Sequence, residues 1–215
     1  MKRTLYFLLL FIVASCQLPE AKQPIIKDGA AALAKTAIDS FGASIQAKEQ
    51  ASAGKKETTD SLGGLVTTIS FEVKTANLKD YPDGLIPFAS IEKASTEIPN
   101  LVNRDQVVIH DTGINIIIDY PLTNPYTFHL SSATGFTPAT LLKAISKHYY
   151  LLYAEEEKTA TVKTLPMSKR KIANRNQTNC NYGVWGHDIR DLVLDEAIVY
   201  RNDKGVVTLT LEIDS

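Results

Sequence analysis

Apolar residues recur along the chain with two successive periods. The first period is about 3.6 residues, and the second is two residues. Between Asp28 and Ala53, apolar residues recur at positions 30, 33, 34, 37, 38, 41 and 45, and Asp28 can cap the start. This spacing predicts an amphipathic helix over residues 30–53. Small residues dominate its apolar face, which favours packing on a neighbouring body over insertion into lipid.

A period of two replaces the helical spacing after a hydrophilic break at residues 54–64. It predicts strands at residues 69–73, 114–120, 126–130, 192–200 and 206–213. The short connection at residues 121–125 predicts a hairpin. The last two strands are expected to pair antiparallel, with the apolar side of the final strand on the core.

A second helix is predicted between the strands, over residues 135–157. Thr137 can cap it and Pro138 takes the first helical position. An apolar stripe follows at helical spacing: Leu141, Leu142, Ile145, Tyr149, Leu152 and Tyr153. The acidic run at its end, residues 155–157, is interpreted as a solvated turn.

The order of these elements predicts an α+β fold. Strands, one helix and further strands follow each other without a repeated strand-helix alternation. We expect a mostly antiparallel sheet with one long helix packed on it, as a globular domain over residues 65–215. The amphipathic helix at residues 30–53 precedes it.

The N-terminal stretch MKRTLYFLLLFIVASC has a basic start and a short apolar run. That run is too short for a membrane-spanning helix, which needs roughly 20 residues, so residues 1–15 are predicted to be a targeting segment. Its end, Val13-Ala14-Ser15-Cys16, resembles the lipobox of bacterial lipoproteins. The resemblance implies a cleaved signal peptide and acylation of Cys16, for example with palmitate.

A lipid on Cys16 implies that the chain is anchored on the periplasmic or cell-surface side of a bacterial envelope. Residues 16–29 contain two Pro and no useful periodicity, which is typical of a flexible tether. The chain contains 2 Cys, too few for a disulfide framework once Cys16 is acylated.

The net charge and the absence of known motifs exclude several classes of function. The formal net charge is -1, and the one basic run, at residues 168–175, is offset in sequence by an acidic run at residues 155–158, so no nucleic-acid partner is expected. No phosphate-binding glycine loop, Gly-x-Ser-x-Gly elbow, His-Glu-x-x-His helix or Cys-x-x-Cys pair occurs. No cofactor is therefore expected.

The strongest chemical candidate is the stretch NYGVWGHDIRDLVL at residues 181–194, which contains His187, Asp188 and Asp191. An imidazole can act as a base or a metal ligand, and a carboxylate can orient it or complete the coordination. The alternative is a structural corner in which Trp185 fills the core and the neighbouring glycines permit a tight path.

The segments YGVWGHDIRDLVLDE and FTPATLLKAI resemble an uncharacterised family of α+β proteins, from which no activity and no site residues carry over. Two functions stay open. The favoured one is a lipid-anchored, non-catalytic domain that binds a protein or envelope ligand, for example an immunity-type protein that neutralises a toxin. The alternative is an envelope hydrolase or metal-binding protein with its site at His187, Asp188 and Asp191.

Overall fold

A computed structural model describes residues 30–54 and 61–215, with side chains described for residues 40–52 and 61–215. The predicted signal peptide, the predicted acylation site Cys16 and the predicted tether at residues 16–29 lie outside the described residues. So do residues 55–60 of the hydrophilic break.

The described residues form three α-helices: α1 (Ala30–Gly54), α2 (Ala94–Glu97) and α3 (Pro138–Thr159). The amphipathic character assigned to residues 30–53 stays a prediction, because the side chains of the first part of α1 are not described. Within the described part of the chain, no helix has both the length and the apolar character needed to cross a bilayer.

The strands are β1 (Gly64–Ser70), β2 (Val73–Lys74), β3 (Leu85–Ile86), β4 (Ala89–Ser90), β5 (Gly113–Ile118), β6 (Tyr126–Ser131), β7 (Val193–Arg201) and β8 (Val207–Asp214). The main sheet has the order β1-β7-β8-β5-β6, and β4 also pairs with β7. Neighbouring strands run antiparallel except β5 and β8, which are parallel. The strands β2 and β3 form a separate pair.

The long helix α3 starts as its sequence predicts. The Thr140 backbone N–H donates to Thr137 Oγ1 at 3.2 Å, and the Thr137 N–H donates to Thr140 Oγ1 at 2.9 Å, so the two residues form a reciprocal cap. The whole predicted apolar stripe of α3 is buried in one core with the inner face of the sheet. The α+β class, with a mostly antiparallel sheet and one long helix on it, is therefore confirmed.

The predicted strand at residues 69–73 is wrong in its extent. Strand β1 ends at Ser70, and Val73 pairs with Ile86 in the small sheet instead. The break coincides with a register shift in β7 between Leu194 and Glu196, and the Phe71 N–H donates to the Asp195 carbonyl there at 2.9 Å. A bulge of this kind bends a ladder and ends regular pairing. Phe71 and Val73 both stay buried, which explains why the alternating pattern continues through the break.

The other face of the sheet carries a row of half-buried side chains. Ile117, Thr210 and Ile198 lie side by side across β5, β8 and β7, and all three are half-buried. In the next row Glu196 faces Glu212 across β7 and β8. We call this face of the sheet the outer face. The C-terminal part of α1 lies at one end of it.

Candidate functional site

The stretch from Gly183 to His187 is held by backbone pairing rather than by a long strand. The Trp185 N–H donates to the Pro121 carbonyl at 3.1 Å, while Gly186 and Arg175 exchange two hydrogen bonds of 3.0 and 2.9 Å. Gly186 has a φ of 72°, a left-handed conformation that favours glycine. The predicted corner is therefore present, and Trp185 is 2% exposed within it.

This corner is also the surface on which α1 docks. Ile45, which is buried, lies against Gly186, so that a Cβ added at Gly186 would be 3.8 Å from the Ile45 side chain. One turn further on, Lys48 Nζ is 5.7 Å from the centre of the Trp185 ring and 3.3 Å from Thr123 Oγ1. Ile45 and Lys48 lie three residues apart, so they share one side of the helix.

Glu49, on the same side of α1, reaches His187. Glu49 Oε1 is 2.9 Å from His187 Nε2, and the Tyr120 hydroxyl donates to both carboxylate oxygens, at 3.1 and 3.2 Å. Ser215 Oγ is 2.8 Å from the Tyr120 hydroxyl and 3.4 Å from His187 Nε2. Glu49, Tyr120, His187 and Ser215 thus form a polar cluster that joins α1 to the sheet.

The geometry of this polar cluster argues against a hydrolytic relay. Ser215 and Glu49 both approach the same nitrogen of His187, whereas a nucleophile-histidine-carboxylate relay uses the two ring nitrogens separately. Burial raises the pKa of the Tyr120 hydroxyl, and the charge of Glu49 adds to the rise although the Ser215 hydrogen bond opposes it. Tyr120 therefore stays protonated at neutral pH and acts as a hydrogen-bond donor.

The two aspartates proposed as partners of His187 face other groups. Arg170 donates to Asp188 with both terminal nitrogens, at 2.6 and 3.0 Å, and Arg175 lies 3.8 Å away. Asp191 Oδ2 accepts the backbone N–H of Asp188 at 3.0 Å. The cluster around His187 recorded in the structure is thus made with Glu49, Tyr120 and Ser215, while Asp188 and Asp191 hold the following turn.

Burial alone would raise the pKa of the Asp188 carboxyl. The bidentate hydrogen bond from Arg170 and the charges of Arg170 and Arg175 outweigh that effect and hold the pKa below its ordinary value. Asp188 is therefore ionised at neutral pH as one half of an ion pair. Among the side chains described, those of residues 40–52 and 61–215, no three His, Cys, Asp or Glu are grouped so that they could hold a metal ion.

A buried glutamate of α3 positions the loop that leads into the corner. Glu156 is 0% exposed, and its Oε1 accepts the N–H groups of Cys180 at 2.9 Å and Gly183 at 3.1 Å. The Tyr182 N–H donates to Oε2 at 2.9 Å, and the Thr178 hydroxyl donates to Oε1 at 2.8 Å. The interpretation of the acidic run as a solvated turn is therefore wrong for Glu156.

Beside the polar cluster, the outer face forms a groove of about 630 Å³. The half-buried side chains of Ile117, Ile198 and Tyr200 contribute its apolar surface. Its polar lining residues are Glu49, Ser52, Ser61, Asp119, Tyr120, His187, Thr210, Glu212, Asp214 and Ser215. The volume is in the range of ligand-binding clefts, which is roughly 300–1,000 Å³.

Comparisons of the chain with protein-family models, with curated proteins and with solved structures found no match. The residues of the groove and of the polar cluster are consequently the basis on which a function can be assigned.

Proposed function

We propose that this protein is a lipid-anchored protein of the bacterial envelope whose α+β body binds a ligand, without catalysis, in the groove of the outer face. The observation that supports this proposal is the groove itself. Ile117 on β5 and Ile198 and Tyr200 on β7 stay partly exposed on either side of β8, next to the end of a docked helix. Partly exposed apolar groups with a few convergent polar ones are typical of a binding site.

The same geometry favours binding over hydrolysis or metal chemistry. His187 is 14% exposed, and its Nε2 is shared by Glu49 and Ser215. The carboxylate of Asp188 lies in an ion pair with Arg170 instead of near the imidazole. A site of this kind can recognise a ligand through its carboxylates and hydroxyls, whereas Glu49 engages the His187 nitrogen that would have to accept a proton from Ser215.

The anchor is tested by Cys16→Ser. We expect the variant to lose labelling by a radioactive or clickable palmitate analogue and to leave the membrane fraction, because the thiol is the acylation point that the lipobox resemblance implies. Labelling of the wild-type chain in parallel is the positive control, and Cys180→Ser is the matched control. Unchanged labelling of Cys16→Ser would contradict lipidation at this position.

The groove is tested by Thr210→Trp, a substitution that fills the groove from the middle of β8. The full chain, affinity-tagged and cross-linked in intact cells, is isolated, and the proteins captured with it are quantified by mass spectrometry. We expect at least one protein captured by the wild type to be reduced about tenfold or more by Thr210→Trp, since overfilling removes the surface a ligand would contact.

Thr68→Trp is the matched control for the groove experiment. Thr68 stands in the same row of the sheet on β1, is exposed and is not among the residues that line the groove. Its captured proteins should equal those of the wild type. If Thr210→Trp and Thr68→Trp capture the same set at the same level, the groove is not the binding surface and the proposal fails.

A further inference from the structure

We infer that the exposed side of α3 and the loop that follows it rest on the anionic membrane surface in which the protein's own lipid anchor sits. We call this surface the basic face and define it as the exposed residues between positions 143 and 171. The inference rests on the proposed anchoring through Cys16, and it adds a second contact between the body of the protein and the same membrane.

Large apolar side chains are concentrated on the basic face. Among the described residues, those left 42–50% exposed between positions 150 and 167 are Tyr150, Leu151, Val162, Leu165 and Met167. Tyr150 of α3 and Met167 of the loop line one cleft, so the helix and the loop form a continuous surface. Exposed apolar patches mark the places where a protein contacts a partner or a membrane.

The loop at residues 160–171 is held in place by hydrogen bonds to the body of the protein. The Val162 N–H donates to Asn179 Oδ1 at 2.8 Å, and the Leu165 N–H donates to Asn176 Oδ1 at 2.8 Å. The Leu165 carbonyl accepts Arg170 Nε at 2.8 Å. The backbone that carries these apolar side chains is therefore bonded to its neighbours, and the exposure of the side chains is part of the fold.

Basic side chains surround the apolar ones. The exposed lysines of the basic face are Lys143, Lys147, Lys158, Lys169 and Lys171. Positions 143, 147, 150, 151 and 158 lie on one side of α3 because they are separated by three, four or seven residues. The exposed acidic residues beside them are Glu92 and Glu155, so positive charge predominates. Bulky apolar residues interspersed with lysines are typical of a surface that lies in the membrane interface with its cations on anionic headgroups.

The tether and the position of the groove favour a membrane as the occupant of the basic face. The predicted tether, residues 16–29, spans at most about 50 Å when fully extended, so acylation of Cys16 holds the body beside lipid at a high effective concentration. The buried side of α3 packs on the inner face of the sheet, whereas the groove is on the outer face. A membrane on the basic face therefore leaves the groove open to its ligand.

The test measures how close Leu165 lies to lipid when the full chain is reconstituted into vesicles. Leu165→Cys, made in a Cys180→Ser background, is labelled with the dye NBD, whose emission is quenched by a doxyl group on a lipid acyl chain. The vesicles contain phosphatidylcholine alone or with about one third phosphatidylglycerol. We expect quenching to be about threefold stronger or more with phosphatidylglycerol, because the lysines hold the loop on an anionic surface. Met167→Cys provides a second labelled position that should behave in the same way.

Thr68→Cys in the same background is the matched control for the position of the label. Thr68 is exposed and lies in the same row of the sheet as Ile198 and Thr210, on the side of the body away from α3. Its quenching should be weak and equal in the two kinds of vesicle. The Cys180→Ser chain without an introduced cysteine gives the background of labelling.

A second pair of variants tests the charge. Lys169→Gln with Lys171→Gln, added to Leu165→Cys, should lower the quenching to the value seen in phosphatidylcholine alone. Lys74→Gln with Lys204→Gln makes the same change in charge at exposed positions outside the basic face and should leave the quenching unchanged.

Equal quenching at positions 165 and 68, or equal quenching at position 165 in the two kinds of vesicle, would overturn the inference. If the label at position 165 stays unquenched while Leu165→Asp removes a captured protein from the cell experiment, the basic face binds a protein and the assignment to lipid is wrong. A failure of the anchor is seen separately, because the chain then does not float with vesicles of phosphatidylcholine alone. A failure of this contact leaves the chain in the vesicles with its label in water.

Discussion

Glu156→Gln is expected to lower the free energy of unfolding by about 4 kcal/mol, the largest effect of any conservative substitution proposed for this chain. The buried carboxylate accepts hydrogen bonds from three backbone N–H groups and from the Thr178 hydroxyl. An amide in its place turns an N–H group toward donors, which leaves buried polar groups unsatisfied and brings like partial charges together. The measurement is urea unfolding followed by circular dichroism.

Glu155→Gln is the matched control for this substitution. Glu155 is the preceding residue of the same acidic run, and it is exposed. An exposed surface substitution of this kind changes stability by no more than about 0.5 kcal/mol. Equal unfolding midpoints for Glu155→Gln and Glu156→Gln would show that the carboxylate of Glu156 does not organise the loop at residues 178–183.

Asp188→Asn is expected to lower the free energy of unfolding by about 3 kcal/mol at neutral pH. The substitution removes the charge that faces Arg170, whose side chain is only 7% exposed, and leaves the guanidinium desolvated without its partner. Asp111→Asn is the matched control, because Asp111 also pairs with an arginine, Arg201, whose side chain is 41% exposed. Exposed ion pairs contribute about 0–1 kcal/mol, so Asp111→Asn should change the free energy of unfolding by no more than that.

The pH dependence of the Asp188 effect has a definite sign. The pKa of Asp188 is lowered in the folded protein, so the pair stabilises the fold fully above the unfolded-state pKa of about 3.9 and loses that contribution as the pH falls through the lower folded value. The gap in stability between wild type and Asp188→Asn should therefore be constant from pH 7 to about 5 and should shrink below about 4. A gap that widens on acidification would contradict the assignment.

Local sequence signals predicted the parts of the fold whose determinants are close together in the chain. Thr137 and Pro138 start α3 as expected, and Val207, Leu209 and Leu211 of β8 are buried as the alternation predicts. The parallel pairing of β5 with β8 depends on residues far apart in sequence, so periodicity could not predict it. The end of β1 depends on a bulge in another strand, which is equally invisible locally.

The candidate site also divides into features that local sequence signals predict and contacts between residues far apart in the sequence, which they do not. Its chemistry made His187 a candidate residue, but the carboxylate that it contacts is Glu49, which is 138 positions away in the sequence. Asp188 and Asp191 were attractive because they are near in sequence, although adjacent residues of an extended chain point to opposite sides. Glu156 was missed because an acidic residue at the end of a helix usually faces water. Its position four residues after Leu152, on the apolar stripe of α3, was the signal that could have identified it.

Because α1 docks on the corner that contains Trp185, the fluorescence of this residue reports on the docking. The sequence contains 1 Trp, which is Trp185. The centres of the Trp185 and Tyr120 rings are 5.5 Å apart in an edge-to-face arrangement, and Lys48 of α1 lies over the Trp185 ring. Indole emission depends on the polarity and charge of its immediate surroundings, and excitation at a wavelength that tyrosine does not absorb restricts the emission to this one environment. The tryptophan fluorescence of the whole chain therefore records whether a single turn of one helix is seated on the sheet, without any added label.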